Sequence, residues 1–318
     1  MSSKRMKARS IAALAVLLPL QGQILLNPPK EPSVITVDVD LVNILCTVRD
    51  KSGAYVKNLS KADFEVREDG KQQEITHFAR DVDTPLSIAL MIDVSGSVMR
   101  ILDVEKDAAK HFFSDLLRPN DQAMLGGFAQ LITIWQELTP SVETLQSALE
   151  EAGPASLAVD GRRAGPVRGG TLLYDAVKLV ASQRMRRVPG RKIILLITDG
   201  LDNGSIAGPE EAAKAAQEAD TVIYGIHYVD EIGSSRRDGA GALASMSDPT
   251  GGRTFHVDQK MPLEKVFAAI SEDMRNQYAI GYKPPSPARD GAYHKLQVKL
   301  HKSGLSIASR NGYYAIPR

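Results

Sequence analysis

Three short segments carry the residues whose types and spacing could do chemistry together: Asp93-Val94-Ser95-Gly96-Ser97, Gly169-Gly170-Thr171 and Thr198-Asp199-Gly200. Their side chains offer only carboxylate and hydroxyl oxygens, the donors that a hard divalent cation takes. Mg²⁺ is the first expectation, with Mn²⁺ and Ca²⁺ as alternatives. Ser95 and Ser97 stand two apart, so an irregular turn eased by Gly96 can direct both hydroxyls inward. Thr171 supplies a third hydroxyl, while Asp93 and Asp199 supply charge directly or through water. Two carboxylates only balance a dication, which keeps an attraction for one more, so an Asp or Glu of a partner is the expected sixth ligand.

Taken singly, each piece is ordinary. An Asp-x-Ser-x-Ser run populates many turns, a Thr before a helix is a common cap, and Asp-Gly often ends a strand. Asp175, one helical turn past Thr171, reads as a helix-surface or buried hydrogen-bonding residue, and Asp202 reads equally as an outer-shell group or a solvated loop residue.

The elements that must position these residues alternate from Pro85 onward. Leu86–Ile92, Lys192–Thr198 and Thr221–Ile226 are continuous apolar runs, the mark of strands covered on both faces. Gln122–Phe128 and Leu131–Trp135 read as two further strands. Helices are predicted over Ile101–Leu117, with Val104, Ala108, Phe112 and Leu116 on one stripe, over Ser141–Glu150 behind a Ser cap, from Thr171 to about Arg186, and over Glu210–Ala219 and Val266–Met274. Such alternation implies a doubly wound, mostly parallel sheet with helices on both faces. Ligand sites of such sheets gather at strand carboxyl ends, where all three segments lie.

The flanks read as β. Val34–Asp50 alternates like a strand, and Cys46 shares a side with Val42, Ile44 and Val48 as a buried thiol. Phe64–Glu68, an Asp69-Gly70-Lys71 turn and Ile75–Phe78 follow. Tyr278–Tyr282, the alternating Leu296, Val298 and Leu300, then Leu305, Ile307 and Gly312–Ala315 close the chain. Neither flank is large enough to fold alone. Residues 34–82 and 277–318 are therefore expected to pair into one small β-sandwich-like domain, interrupted by the α/β unit at 85–275.

In that context the sequence resembles the von Willebrand factor type A domain and its metal-ion-dependent adhesion site. The family pattern is Asp-x-Ser-x-Ser, a later Thr and a later Asp, matched here at Asp93, Ser95, Ser97, Thr171 and Asp199. The resemblance covers roughly Pro85 to Arg275 and implies a metal held at those positions, with an acidic partner residue completing its coordination. Asp63-Phe64-Glu-Val-Arg-Glu-Asp-Gly70, Tyr278-x-x-Gly281-Tyr282 and Gly312-Tyr313-Tyr314 also resemble an exported, acidobacterial type of von Willebrand factor A-related protein.

The amino terminus carries Lys4, Arg5, Lys7 and Arg9 before the apolar run Ile11–Leu20, the make-up of a secretory leader over residues 1–22. The run is about half the length a membrane-spanning helix needs. Cleavage near Gly22, no permanent anchor, a Pro-rich lead-in over 23–33 and an exported location in the periplasm, the envelope or outside the cell are the expectations. The whole chain has 39 Lys and Arg against 38 Asp and Glu; leader removal takes four cations and no acid, leaving 35 against 38 and a net −3. That balance argues against a nucleic-acid binder. The single Cys excludes an internal disulfide framework, and none of the six His residues forms a pair spaced for a metal.

Around the expected metal face, Arg162, Arg163 and Arg168 precede Thr171, and Arg236 and Arg237 follow the Thr221 strand, partly offset by Asp160, Asp230, Glu231 and Asp238. They read either as solvated loop charges or as a rim that steers an acidic partner. The sequons at Asn58 and Asn203 matter only in a glycosylating host, and a glycan at Asn203 would crowd the metal face, so that match is taken as chance. No catalytic set accompanies the site, so a non-enzymatic, cation-dependent protein-binding module leads. The alternatives are a Mg²⁺-dependent hydrolase or phosphotransferase with Asp93 as nucleophile, and an envelope protein whose metal is purely structural. The phosphotransferase pattern wants a second Asp where Ser95 stands, and an esterase elbow wants glycines where Asp93 and Ser97 stand.

Overall fold

Every residue from Leu86 to Asp93 is buried, as expected of a strand between two neighbours with helices above and below. The computed structural model describes residues 41–80, 84–96, 98, 100–154, 158–159, 162–163, 170–228, 239–284 and 291–315. The leading segment gives β1 (Val42–Asp50), β2 (Phe64–Glu68), β3 (Lys71–Gln73) and β4 (Ile75–Arg80). The middle gives β5 (Leu86–Asp93), α1 (Leu102–Leu116), β6 (Gln122–Phe128), β7 (Ile132–Thr139), α2 (Val142–Glu151), β8 (Ala158–Val159), β9 (Arg162–Arg163) and α3 (Leu173–Leu179). It continues with β10 (Arg191–Thr198), α4 (Pro209–Glu218), β11 (Thr221–His227), α5 (Gly239–Thr250), β12 (Thr254–His256) and α6 (Leu263–Arg275). The end gives β13 (Tyr278–Tyr282), β14 (Tyr293–Leu300), β15 (Leu305–Ser309) and β16 (Gly312–Tyr314).

The central sheet has the order β12-β11-β10-β5-β6-β7 and is parallel except for the last pair. This is the mixed α/β architecture anticipated, with a mostly parallel core sheet and additional β-sheets. Strand alternation sorts its two cores. Ile88, Leu90 and Ile92 pack with α1, α2 and α6, whereas Ala89 and Met91 face the side of α3, α4 and α5. Each such Ile or Leu contributes about 1.5–3 kcal/mol by leaving water, enough in sum to fix which strand ends are neighbours.

Strands from the two chain ends pair with one another in the sheets β15-β1-β13-β4 and β16-β14-β2-β3. Ile44, Cys46, Phe64, Val66, Tyr278, Ile280, Leu296 and Val298 share the core of these sheets. Burial pushes the Cys46 thiol far up, so it is an inert apolar filler. Asp69 and Gly70 both have positive φ, 49° and 81°, as a two-residue hairpin turn requires. That turn leads into β3, and β4 crosses to the other sheet to pair with β13.

The short strands β3, β8, β9 and β12 and the helix α5 had no sequence signal. Helix α5 is Gly-, Ala- and Ser-rich and contains Pro249, yet Leu243 and Met246 are fully buried. It packs close because Gly225 of β11 has no side chain; a Cβ there would lie 3.0 Å from that of Leu243. Strand β12 follows it. Of the predicted α1 stripe, Ala108, Phe112 and Leu116 are buried, whereas Val104 is 48% exposed; Glu105, not predicted as buried, is fully buried. Of the predicted amino-terminal strand, residues 34–40 lie outside the described residues.

Candidate metal centre

Strands β5 and β10 run parallel with Ile92 opposite Ile197, so Asp93 and Thr198 emerge side by side. From there the chain departs in opposite directions, β5 through α1 to β6 and β10 through α4 to β11, which opens a crevice between the two strand ends. Asp93 is fully buried. Its Oδ1 accepts the Ser95 N–H at 2.8 Å and its Oδ2 accepts the Thr198 hydroxyl at 2.6 Å. Thr198 Oγ1 in turn accepts the Gly200 N–H at 3.0 Å. Thr198 thus latches the two strand ends, holding the Asp93 carboxylate against the start of the Asp199 loop.

Asp199 is 8% exposed and its Oδ1 accepts the Leu201 N–H at 3.0 Å, an Asx-type turn that fixes the carboxylate at the crevice. The backbone needs glycine next: Gly200 has φ +76°, and a Cβ there would lie 2.2 Å from the Gly239 carbonyl. Thr171 precedes α3 and is largely buried. Its N–H donates to Asn203 Oδ1 at 2.5 Å, and the Asn203 N–H donates back to the Thr171 carbonyl at 3.3 Å. The Leu172 N–H donates to the Ala129 carbonyl at 2.8 Å, tying the same segment to the β6–β7 turn. Asp93, Ser95, Thr171 and Asp199 are therefore brought to one end of the sheet, each held by backbone hydrogen bonds.

Ser97, Arg168, Arg236 and Arg237 lie outside the described residues, as do the side chains of Arg162 and Arg163, whose backbone pairs with Ala158–Val159. Asp175 and Asp202 are structural. Asp175 accepts the N–H groups of Ile206 and Ala207, and Asp202 accepts those of Tyr174, Gly204 and Ser205 together with the Ser205 hydroxyl. They clasp the loop after Asp199 onto the first turn of α3.

Sequence reasoning missed three residues of this end. Thr198 is hidden within an apolar run, Asn203 reads as a sequon, and Glu105 lies outside the predicted α1 stripe. Glu105 is fully buried, and among the described residues neither carboxylate oxygen has a hydrogen-bond partner. Burial, then the neighbouring charge of Asp93, holds its carboxyl well above the usual range. Burial raises Asp93 to about 6, against the hydrogen bonds from Thr198 and Ser95, and Asp199 raises it a little further.

The β11–β12 register sets His227 opposite His256 with their Nδ1 atoms 3.2 Å apart, a proximity that their spacing in the sequence does not show. On the flanking sheet, His294 Nδ1 lies 2.9 Å from Asp69 Oδ2 and 3.2 Å from Glu68 Oε1. These contacts join the end of β2 and its hairpin turn to β14.

The donors at the strand ends fit a hard divalent cation: all are oxygens, Asp93 accepts from the Ser95 N–H and the Thr198 hydroxyl, and neither Glu105 oxygen has a hydrogen-bond partner among the described residues. Fully buried carboxylates left without a counter-charge are costly, and a dication at the crevice would relieve that cost.

Residues 88–201 match the family model of the von Willebrand factor type A domain. Among solved structures, proximal thread matrix protein 1 from the mussel byssus is 17% identical with a TM-score of 0.51, covering 65% of this chain and 51% of that one. A second structure of it, with a zinc-occupied MIDAS motif, is 18% identical at the same TM-score, covering 65% and 50%. BatB from Bacteroides thetaiotaomicron is 20% identical over 59% of this chain and 97% of its own, with a TM-score of 0.47. This chain thus spans about half of the mussel protein, and identities this low establish a shared fold alone. No curated protein matches the chain.

Proposed function

We propose that this chain, which carries a von Willebrand factor type A domain over residues 88–201, is a divalent-cation-dependent protein-binding module. Asp93, Ser95, Ser97, Thr171 and Asp199 would hold the cation, Mg²⁺ first, and an Asp or Glu of a partner protein would complete its coordination. The bound cation supplies positive charge at a protein surface. The residues of this chain supply a fixed oxygen cradle around it. The observation that carries the reading is the convergence of Asp93 and Asp199 at the ends of adjacent strands, latched by Thr198. The zinc-occupied MIDAS of the mussel structure supports it by analogy of fold. Asp93 is a poor nucleophile in this setting, since it is fully buried and both of its oxygens already accept hydrogen bonds, which speaks against hydrolase or phosphotransferase chemistry.

The basic and apolar leader supports export to the periplasm, the envelope or beyond, and among the described residues no helix is long and apolar enough to cross a membrane. Residues 34–82 and 277–318 would form one β domain around the α/β unit at 85–275. Arg162, Arg163, Arg168, Arg236 and Arg237 would steer an acidic partner toward the cation. The test is capture from envelope or secretome extracts by wild type and Asp199→Ala, each with Mg²⁺ or chelator. A partner retained by wild type with Mg²⁺, and lost with chelator or with the substitution, is expected. Capture indifferent to both would refute the reading.

A further inference from the structure

Helix α1 turns a row of apolar side chains toward the sheet, Leu102, Ala108, Ala109, Phe112 and Phe113, and Glu105 stands among them fully buried. Among the described residues, neither Oε1 nor Oε2 has a hydrogen-bond partner. An isolated carboxylate in such a place is strongly disfavoured, and a like charge beside it makes matters worse; its electrostatic neighbour is Asp93. The backbone ties the two together. The Val98 N–H donates to the Ser95 carbonyl, Ile101 to Val98 and Glu105 to Ile101, three consecutive turns running from the hydroxyl loop to Glu105. Glu105 lies in the first turn of α1, where the helix dipole favours an acid, but an exposed acid there would gain the same without leaving water.

We infer that Glu105 is a third carboxylate of the cation cradle, acting on a bound divalent cation across that cation's water shell and setting how tightly it is held. The inference rests on the cation-binding reading above. It explains why an acid occupies a position that Leu or Ala would fill without cost: the missing counter-charge is the cation. It also alters the charge at the site. Asp93 and Asp199 alone neutralise a dication, whereas with Glu105 the ensemble carries a net negative charge. Glu105 therefore strengthens cation binding and tempers the pull on a partner's carboxylate. Replacing it should have opposite effects on the two states of the protein, weakening cation binding while relieving the metal-free form.

The experiment is calorimetric titration of Mn²⁺ into the full chain, with metal-free thermal melts alongside, for wild type, Glu105→Gln, Glu105→Asp and Asp199→Ala. Outer-shell partners typically carry tenfold to a hundredfold in metal affinity. Glu105→Gln is expected to bind Mn²⁺ ten to a hundred times more weakly, with a metal-free melting temperature equal to or above that of wild type. Glu105→Asp, which keeps the charge, is expected to stay within severalfold of wild type. A purely structural role would lower the melting temperature of Glu105→Gln without a selective loss of affinity. Wild-type binding that depends on Asp199 while Glu105→Gln binds within twofold of wild type would overturn this inference alone. Absence of Mn²⁺ binding by wild type would overturn the functional reading with it.

Discussion

Replacing Thr198 with Val separates the latch from mere packing. Valine keeps nearly the same volume in a fully buried position, so almost no cavity is created. Two interactions disappear. Asp93 Oδ2 loses a donor at 2.6 Å, a charge-assisted bond worth about 1.5–3 kcal/mol. The buried Gly200 N–H, 3.0 Å from the lost hydroxyl oxygen, is left without an acceptor at about 1–3 kcal/mol. Partial protonation of Asp93 offsets some of this, so the expected destabilisation is about 2–5 kcal/mol. Thr198→Ser keeps both bonds and loses one buried methyl, costing about 1 kcal/mol. Equilibrium urea denaturation in chelator, with matched m-values, reads both differences. A Val variant destabilised by less than about 0.5 kcal/mol, or less than the Ser variant, would show that the hydroxyl does not organise the strand ends.

Gly200→Ala must place a Cβ 2.2 Å from the Gly239 carbonyl at φ +76°, so a loss of about 2–4 kcal/mol and displacement of the start of α5 are expected, read by thermal melts and amide exchange over 239–250. Asp273, 2% exposed, accepts from Arg49, from Tyr55 at 2.7 Å and from Arg253 at 2.8 Å, joining β1 to α6. Asp273→Asn leaves two guanidinium groups without their counter-charge, and a loss of about 3–5 kcal/mol with faster exchange in β1 is expected. In the metal-free protein the Asp93 carboxyl stands at about 6 against an ordinary value of 3.8. Between those pH values the folded state keeps a proton that the unfolded state has released, so metal-free stability falls as pH rises through the window, by about 3 kcal/mol in all. Glu105 adds to this with the same sign. Cation binding must displace the Asp93 proton, so Mn²⁺ affinity should drop up to tenfold per pH unit below about 6, and Asp93→Asn should flatten the metal-free stability slope.

The parts legible in the sequence were those written in short-range pattern. Continuous apolar runs marked β5, β10 and β11 because both of their faces are covered, and the Asp-Gly pair marked a turn because positive φ is needed at both positions, although the strand it was read as leading into, Ile75–Phe78, pairs with β13 rather than with β2. Convergence of the three site segments was legible because carboxyl ends of parallel strands share one edge. What escaped depends on neighbours distant in sequence. Helix α5 forms because Gly225 makes room for Leu243, a fact that no local propensity contains. Thr198 looked like one more β-branched strand residue, although its hydroxyl joins two strands. Asn203 matched a modification motif, whereas its amide clamps Thr171. The four-residue spacing of α1 marked Ala108, Phe112 and Leu116 as buried but took exposed Val104 with them, and nothing in that pattern marked Glu105 as an inward-facing acid.

The most direct measurement is calorimetric titration of Mg²⁺ or Mn²⁺ into the full chain at pH 7.5, with Asp199→Ala as control and circular dichroism to confirm that both proteins are folded. One equivalent bound by wild type and lost in Asp199→Ala is the expected result. No binding by folded wild type, or an equal equivalent bound by folded Asp199→Ala, would contradict a cation cradle at the ends of β5 and β10.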